Sequence, residues 1–389
     1  MKICAVIAEY NPFHLGHLKQ IEYIKHNLNA EKIVVIMSGN FTQRGEPAIL
    51  DKFTRAKTAI IAGADLVLEL PTVFATANAE IFAKGAVKIL NSLNVIDGLC
   101  FGVECGEKQD FINLATALNS ESKDFKRLLK QNLESGVSLA KAKYLTVKEL
   151  FGSFDEKLMS LPNNILGIEY SRAILDLSSN IEIFPLLREG DHNDLSLKKG
   201  ITSASSIRNA IKLGKIKKVK KNLPPFSFKQ LKGYPFNFDS LILASLITSS
   251  AKQIGQVLDC SEGLENRIKA LLKDNKNLDS LCEKVSTKRY TLSRIKRIIL
   301  SNFLGIKEDF VFDCLKSSLY AKVLAVNSNS KDLMSLICEK SSIPVLTRKG
   351  DVTALRKTAE ECFLLDVKAQ ELYDLAVNTR TNEHQTLFI

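Results

Sequence analysis

Over the first hundred residues, short apolar runs alternate with stretches of helical periodicity, and this alternation restricts the fold more than any other feature. Residues 3–8, 32–37, 65–70 and 95–102 read as buried strands, with amphipathic patterns near 16–28, 50–62 and 77–92 between them. Repeated strand–helix units build a parallel sheet with right-handed crossovers, so the predicted class is α/β, a Rossmann-like doubly wound sheet. Residues 181–187 add a fifth strand. Ligands of such sheets gather at the carboxyl ends of the strands. The loops that follow strands are therefore where chemistry is to be sought.

The first of these loops is the most informative. Asn11-Pro12 ends the first strand, and Leu18, Ile21 and Ile24 carry the helical pattern that follows. Between them stands His14-Leu15-Gly16-His17, which holds two of the five histidines in the chain. A helix start offers free N–H groups and a partial positive charge, which suits phosphate. Gly16 would let a ligand approach the backbone, and histidines three apart can donate from the same side to phosphoryl oxygens. The plainer alternative is a pair of surface histidines beside a loop glycine.

Further blocks stand elsewhere: AEYNPFHLGH at 8–17, MSGNFTQRGEP at 37–47, Asp51-Lys52, Arg55-Ala56, Phe101-Gly102, NNILGIEY at 163–170 and Ile343-Pro344-Val345. On these residues the chain resembles the nucleotidyltransferase superfamily with the HxGH signature, and more closely the bacterial tRNA(Met) cytidine acetate ligases. The resemblance implies an ATP-dependent ligase that activates acetate as acetyl-adenylate. It then acetylates the exocyclic amine of the wobble cytidine of elongator tRNA(Met), giving N4-acetylcytidine. It implies catalytic roles for His14 and His17. It implies ATP contacts from Ile7, Ala8, Glu9, Tyr10, Asn11, Pro12, Phe13, His14, Leu15, Gly16, His17, Leu18, Lys19 and Gln20, and from Gly102 and Asn163 with its neighbour Asn164. Mg²⁺ would accompany ATP, although no carboxylate cluster marks its site and no metal-binding residues are assigned.

Other segments add candidates on their own chemistry. Residues 38–47 form a connection too long and polar for a minimal turn, either an active-site loop or a surface loop. Asp51 and Arg55 have the spacing of an exposed i,i+4 pair. Leu161-Pro162-Asn163-Asn164 opens a helix, with an asparagine placed to cap it or to meet the ligand. Arg188, at the end of the fifth strand, can clamp a triphosphate or pair with adenine, or be a surface arginine. Residues 202–208 resemble the second phosphate signature of the superfamily, in which Ser205, Ser206 and Arg208 bring hydroxyls, orphan N–H groups and a cation to one point. Residues 108–150 read as a charged helical insertion or lid without chemistry.

Composition sets the remaining bounds. The 389 residues carry a net charge of +11, with a pI near 9.1, which suggests a polyanionic partner or a Lys-rich solvated surface. Lys217, Lys218, Lys220 and Lys221 lie in a basic run closed by Pro224-Pro225, either a linker or an RNA contact. Lys288, Arg289, Arg294 and Arg297 flank Tyr290 and an apolar stripe of Ile295, Ile298 and Ile299, giving a second basic face for tRNA. The expected division is a catalytic domain over 1–222 and a mainly helical tRNA-binding region over 223–389, with a small α/β segment near 320–346. Eight scattered cysteines without a CxxC pair read as reduced and mostly buried. No stretch reads as a membrane span or signal peptide, so the expectation is a cytoplasmic protein with no protein partner implied. Two rivals stand beside the ligase: an adenylyltransferase acting on a phosphorylated metabolite, and a noncatalytic RNA-binding protein with a vestigial nucleotide site.

Overall fold

Five runs rich in Val, Ile and Leu form the parallel strands that the alternation predicts: β1 (Ile3–Ala8), β2 (Lys32–Ser38), β3 (Leu66–Leu70), β4 (Gly98–Val103) and β5 (Glu182–Leu187). The computed structural model describes residues 2–120, 122–137, 139–152, 154–188, 202–231, 238–275 and 277–389. The strands lie in the order β5-β4-β1-β2-β3, all parallel, the doubly wound arrangement. Both faces are covered, so successive strand residues alternate between two cores. Ile3, Ala5, Val34, Ile36, Leu66 and Leu68 face one side with Phe74, Phe82 and Val87. Cys4, Val6, Ile33, Val35 and Val67 face the other with Ile21, Ile24, Phe53 and Ala56. Pro185 cannot donate to a ladder, and β5 that contains it ends the sheet.

The helices between strands are capped by their own sequence. Asp51 caps Lys52–Ile61 through the Thr54 N–H, and Asn78 caps Ala79–Ser92 through Ile81. Helices Lys108–Asn119, Lys123–Glu134 and Leu139–Phe151 fill the stretch expected as a charged helical insertion or lid. Buried Phe111 and Leu114 dock the first of them on the sheet side, with Phe111 edge-on to Phe101 at 5.7 Å.

The main departure from expectation lies at the other edge. The strands expected as a small separate segment extend the first sheet instead: β6 (Ala321–Val326) runs antiparallel to β3, and β7 (Val345–Leu346) and β8 (Leu387–Phe388) pair with β6. Strands from both sides of residue 222 therefore share one sheet. A buried ionic cluster sits at the β3–β6 seam. Lys52 Nζ meets Glu69 at 2.8 Å and Glu383 at 2.6 Å, and Lys322 meets Glu69 at 2.9 Å and also Glu383. The helical region includes Asp239–Thr248, Leu264–Leu272, Leu278–Val285, Leu292–Leu304 and the long Lys357–Val377, with Ile295, Ile298 and Ile299 buried as their spacing predicts. Among the described residues, no helix is long and apolar enough to cross a membrane.

Candidate active site

The carboxyl end of β1 is held rigid before any ligand arrives. Tyr10 takes φ of 47°, a left-handed conformation that costs an aromatic residue about 1–2 kcal/mol. Surrounding bonds enforce it. Arg55, expected in an exposed pair, is instead fully buried and donates to the carbonyls of Glu9 (2.7 Å), Ser38 (3.0 Å), Leu50 (2.9 Å) and Gly39. A planar fork with several donors is what converging carbonyls require, and Asp51 is taken up as the cap. Asn11 Oδ1 accepts from Ile49 N–H at 2.9 Å, and Asn11 O from Arg208 Nη1 at 2.9 Å.

His14 caps the helix Leu15–His26. Its Nδ1 accepts the Gly16 N–H at 3.0 Å, while His17 Nδ1 accepts the His14 N–H at 3.2 Å. An accepting Nδ1 places the proton of each neutral ring on Nε2. The rings stack, centroids 3.7 Å apart and 17° from parallel, and both residues line one cleft. Burial, reinforced by the charges of Arg188 and Arg208, brings the His14 pKa from 6.5 down to about 3. Burial and the neighbouring His14 and Arg188 likewise depress His17 well below its usual value. Both are neutral donors at physiological pH. Tyr10, packed at 4.8 Å on the His17 ring, has a buried hydroxyl with no hydrogen-bond partner among the described residues.

At the ends of β4 and β5 the expected capping role is reversed. The helix Pro162–Asp176 begins before Asn163, so neither asparagine caps it; the Glu104 carboxylate accepts the N–H groups of Asn163 (3.3 Å) and Asn164 (3.1 Å). Asn164 is fully buried and returns the favour, accepting Glu104 N–H at 2.7 Å and donating to Cys105 O at 2.8 Å. Asn163 also donates to Glu104 at 2.5 Å and accepts from Arg188 Nη1 at 3.2 Å. A Cβ on Gly102 would stand 3.1 Å from Arg188 Cγ and Cδ, so the glycine is what lets that arginine lie across the strand end.

A third wall comes from the helix Ala204–Lys212. Its cap is Ser203, whose Oγ accepts Ser206 N–H at 3.1 Å, so this hydroxyl-rich helix start also has the plain capping role that such a segment can fill. Arg208 Nη2 donates to Ser205 Oγ at 3.3 Å. Glu46, in the ordered turn after β2, lies 3.6 Å from Arg208 and 2.7 Å from Lys296. Burial opposes the charge on Glu46, but the two cations beside it hold its pKa below the usual range.

These walls enclose a cleft of about 920 Å³. Ile7, Ala8, Glu9, Tyr10, Asn11, His14, Gly16, His17, Lys19, Gln20, Gly102, Asn163, Arg188, Ser205 and Arg208 line it. Pro12, Phe13, Leu15, Leu18, Asn164 and Ser206 do not; Phe13 belongs to a core cluster, and Asn164 and Ser206 are buried supports. Gln43 and Arg44 line the cleft from the loop flagged by its length, and Ala79, Phe82, Thr291 and Ser293 line it without any local signal in the sequence. Of the basic candidates only Arg297 reaches the cleft. Lys217, Lys218, Lys220, Lys221, Lys288 and Arg289 are exposed outside it, and Arg294 is bound to Asp259 O at 2.6 Å and lies over the Tyr290 ring. Among the described residues no group of three His, Cys, Asp or Glu side chains can hold a metal, and Glu9 and Glu22 are the carboxylates on the cleft wall. That suits Mg²⁺ carried mainly by phosphate oxygens.

Residues 1–387 match the model of the HIGH nucleotidyl transferase family. A tRNA(Met) cytidine acetate ligase of Clostridium botulinum is 41% identical, covering 98% of this chain and 97% of its own. The protein of the same name from Alkaliphilus metalliredigens is 37% identical over 97% and 95% of the two chains. Among solved structures, apo TmcAL of Thermotoga maritima is 29% identical over the whole of both chains with a TM-score of 0.94. Thermotoga maritima TmcAL bound with alpha-thio ATP gives a TM-score of 0.91 at the same identity and coverage.

Proposed function

The chain belongs to the HIGH nucleotidyl transferase family, and from that premise we propose that it is a tRNA(Met) cytidine acetate ligase. Its substrates are ATP, acetate and elongator tRNA(Met), which puts it in the cytoplasm. The observation that carries the reading is the stacked pair of neutral histidines at the start of a helix, in a cleft that also holds Arg188, Arg208 and the Ser203-capped helix end. The relatives' shared name favours the ligase over a metabolite adenylyltransferase, and the intact donor set favours it over a vestigial site.

The chemistry runs in two displacements. An acetate oxygen attacks the α-phosphorus of ATP, the bond from that phosphorus to the bridging oxygen breaks, and pyrophosphate leaves with the electron pair. The protein has little covalent work to do, so its contribution is position and charge. His14 and His17 donate from Nε2 to the transferring phosphoryl oxygens, and being neutral they do so without losing a proton. Arg208 and the free N–H groups at the Ala204–Lys212 helix start receive the charge that develops on pyrophosphate. Arg188, aimed by Asn163 and Gly102, holds the nucleotide. Mg²⁺ bound through the triphosphate would neutralise phosphate charge. The cytidine amine then attacks the acetyl carbon, AMP leaves, and the amine gives up a proton.

Purified protein is incubated with ATP, radiolabelled acetate and elongator tRNA(Met), and the nucleosides are separated. Label in N4-acetylcytidine is the expected result. Exchange of pyrophosphate into ATP with no labelled nucleoside would keep the nucleotidyl transfer and overturn the choice of acceptor.

A further inference from the structure

Arg297 is anomalous among the cations of the cleft. Arg188 has Asn163, and Arg208 has Asn11, Ser205 and Glu46. Arg297 Nε is buried with no hydrogen-bond partner, and its guanidinium makes no ion pair with a described residue. The Asp259 charge favours the cation but forms no ion pair with it among the described residues; Asn78 Nδ2 donates to both Asp259 carboxylate oxygens at 3.2 and 3.3 Å. Burial pushes the Arg297 pKa down, Asp259 opposes that shift, and the neighbouring charge of Arg294 adds repulsion. A half-buried guanidinium whose Nε is shut off from water without a hydrogen bond costs free energy, and an anion in the cleft would supply the missing partner.

Two phosphate sources meet this cleft, the triphosphate of ATP and the RNA backbone. The triphosphate already has donors in His14, His17, Arg208 and the Ala204–Lys212 helix start. Arg297 instead stands on the helix Leu292–Leu304, on the wall shared with Thr291 and Ser293. Immediately before that helix, exposed Lys288, Arg289 paired with Glu262, and the Tyr290 ring under Arg294, its hydroxyl on the same Glu262, form an aromatic surface in which cations outnumber the acid. Arg297 is where that surface continues inward to the reaction centre.

We propose that Arg297, with Thr291 and Ser293, binds the RNA backbone phosphate flanking the cytidine to be modified, and so brings that base into the cleft. The inference rests on the RNA substrate proposed above. It is tested with Arg297→Gln and Arg297→Lys in two assays: acetate-dependent exchange of pyrophosphate into ATP, and acetyl transfer to tRNA at several salt concentrations. For Arg297→Gln the KM for tRNA rises about tenfold or more, exchange loses far less, and the log–log salt slope of tRNA binding falls by about one. Arg297→Lys keeps the charge and recovers part of the KM. Equal losses in exchange and transfer would assign Arg297 to the triphosphate and overturn the proposal, as would an unchanged KM for tRNA while the unaltered protein acetylates normally. Failure of the unaltered protein to acetylate tRNA at all would remove the function and this inference together.

Discussion

His14 and His17 each use one ring nitrogen to shape the helix start and keep the other for the ligand, so the same bond that caps the helix also fixes which edge donates. Replacing either by Ala removes a donor available to the transition state, and acetate-dependent pyrophosphate exchange should fall by about 10²-fold or more. Near-normal exchange in either variant would remove that residue's assigned role. Their depressed pKa values also bear on stability. The folded state holds fewer protons than the unfolded chain between about 3 and 6.5 for His14, so stability rises with pH across that window and is lost as pH falls below 6.5. Each buried histidine contributes a slope of up to about 1.4 kcal/mol per pH unit. Urea unfolding of His14→Gln at pH 7 and pH 5 should therefore show a smaller drop than the unaltered protein. Parallel drops would mean that the ring is protonated in the folded state.

At the scale of elements, the turn after β2 connects two helices that are distant in sequence. Glu46 sits between Arg208 on Ala204–Lys212 and Lys296 on Leu292–Leu304, so it aims the arginine proposed to hold phosphate while tying down the helix proposed to meet RNA. Glu46→Gln should lower adenylation about tenfold and raise the KM for tRNA as well. A change confined to one of the two steps would show that Glu46 serves only one helix. Most elements around this turn were legible from periodicity. β1 through β5 fall within a few residues of the apolar runs, because a strand buried on both faces leaves a continuous signal. The donor loop of β1 was legible too, since its histidines and glycine are adjacent in the chain. Contacts made across the fold were not. Arg55 has the spacing of a surface pair, and nothing local says that four carbonyls converge on it. Asn163 looks like a cap because the carboxylate that takes over that work, Glu104, arrives from another strand. β8, at two residues, is too short to carry a pattern.

For the molecule as a whole, the consequential feature is the buried cluster at the β3–β6 seam. Glu69 lies between Lys52 and Lys322 and leaves Glu383 as their only other carboxylate within ion-pair distance among the described residues. Glu69→Gln makes two buried ammonium groups share one carboxylate, and the expected loss is about 3–5 kcal/mol in denaturant unfolding. A loss below about 1 kcal/mol would mean that the cluster tolerates the imbalance. The sequence expectation of a boundary near residue 222 followed the Lys-rich run and the prolines, which do mark a connection. They could not show that the chain later returns to the same sheet, because antiparallel pairing of β6 with β3 joins residues some 250 positions apart. The order of synthesis turns that pairing into a control on assembly. On the ribosome the nucleotide-binding strands emerge first, yet the outer edge of β3 stays unpaired and Lys52 and Glu69 lack their remaining partners until residues 321–383 follow. A nascent chain interrupted in the helical region would leave that sheet edge open and the buried Lys52–Glu69 pair short of both Glu383 and Lys322.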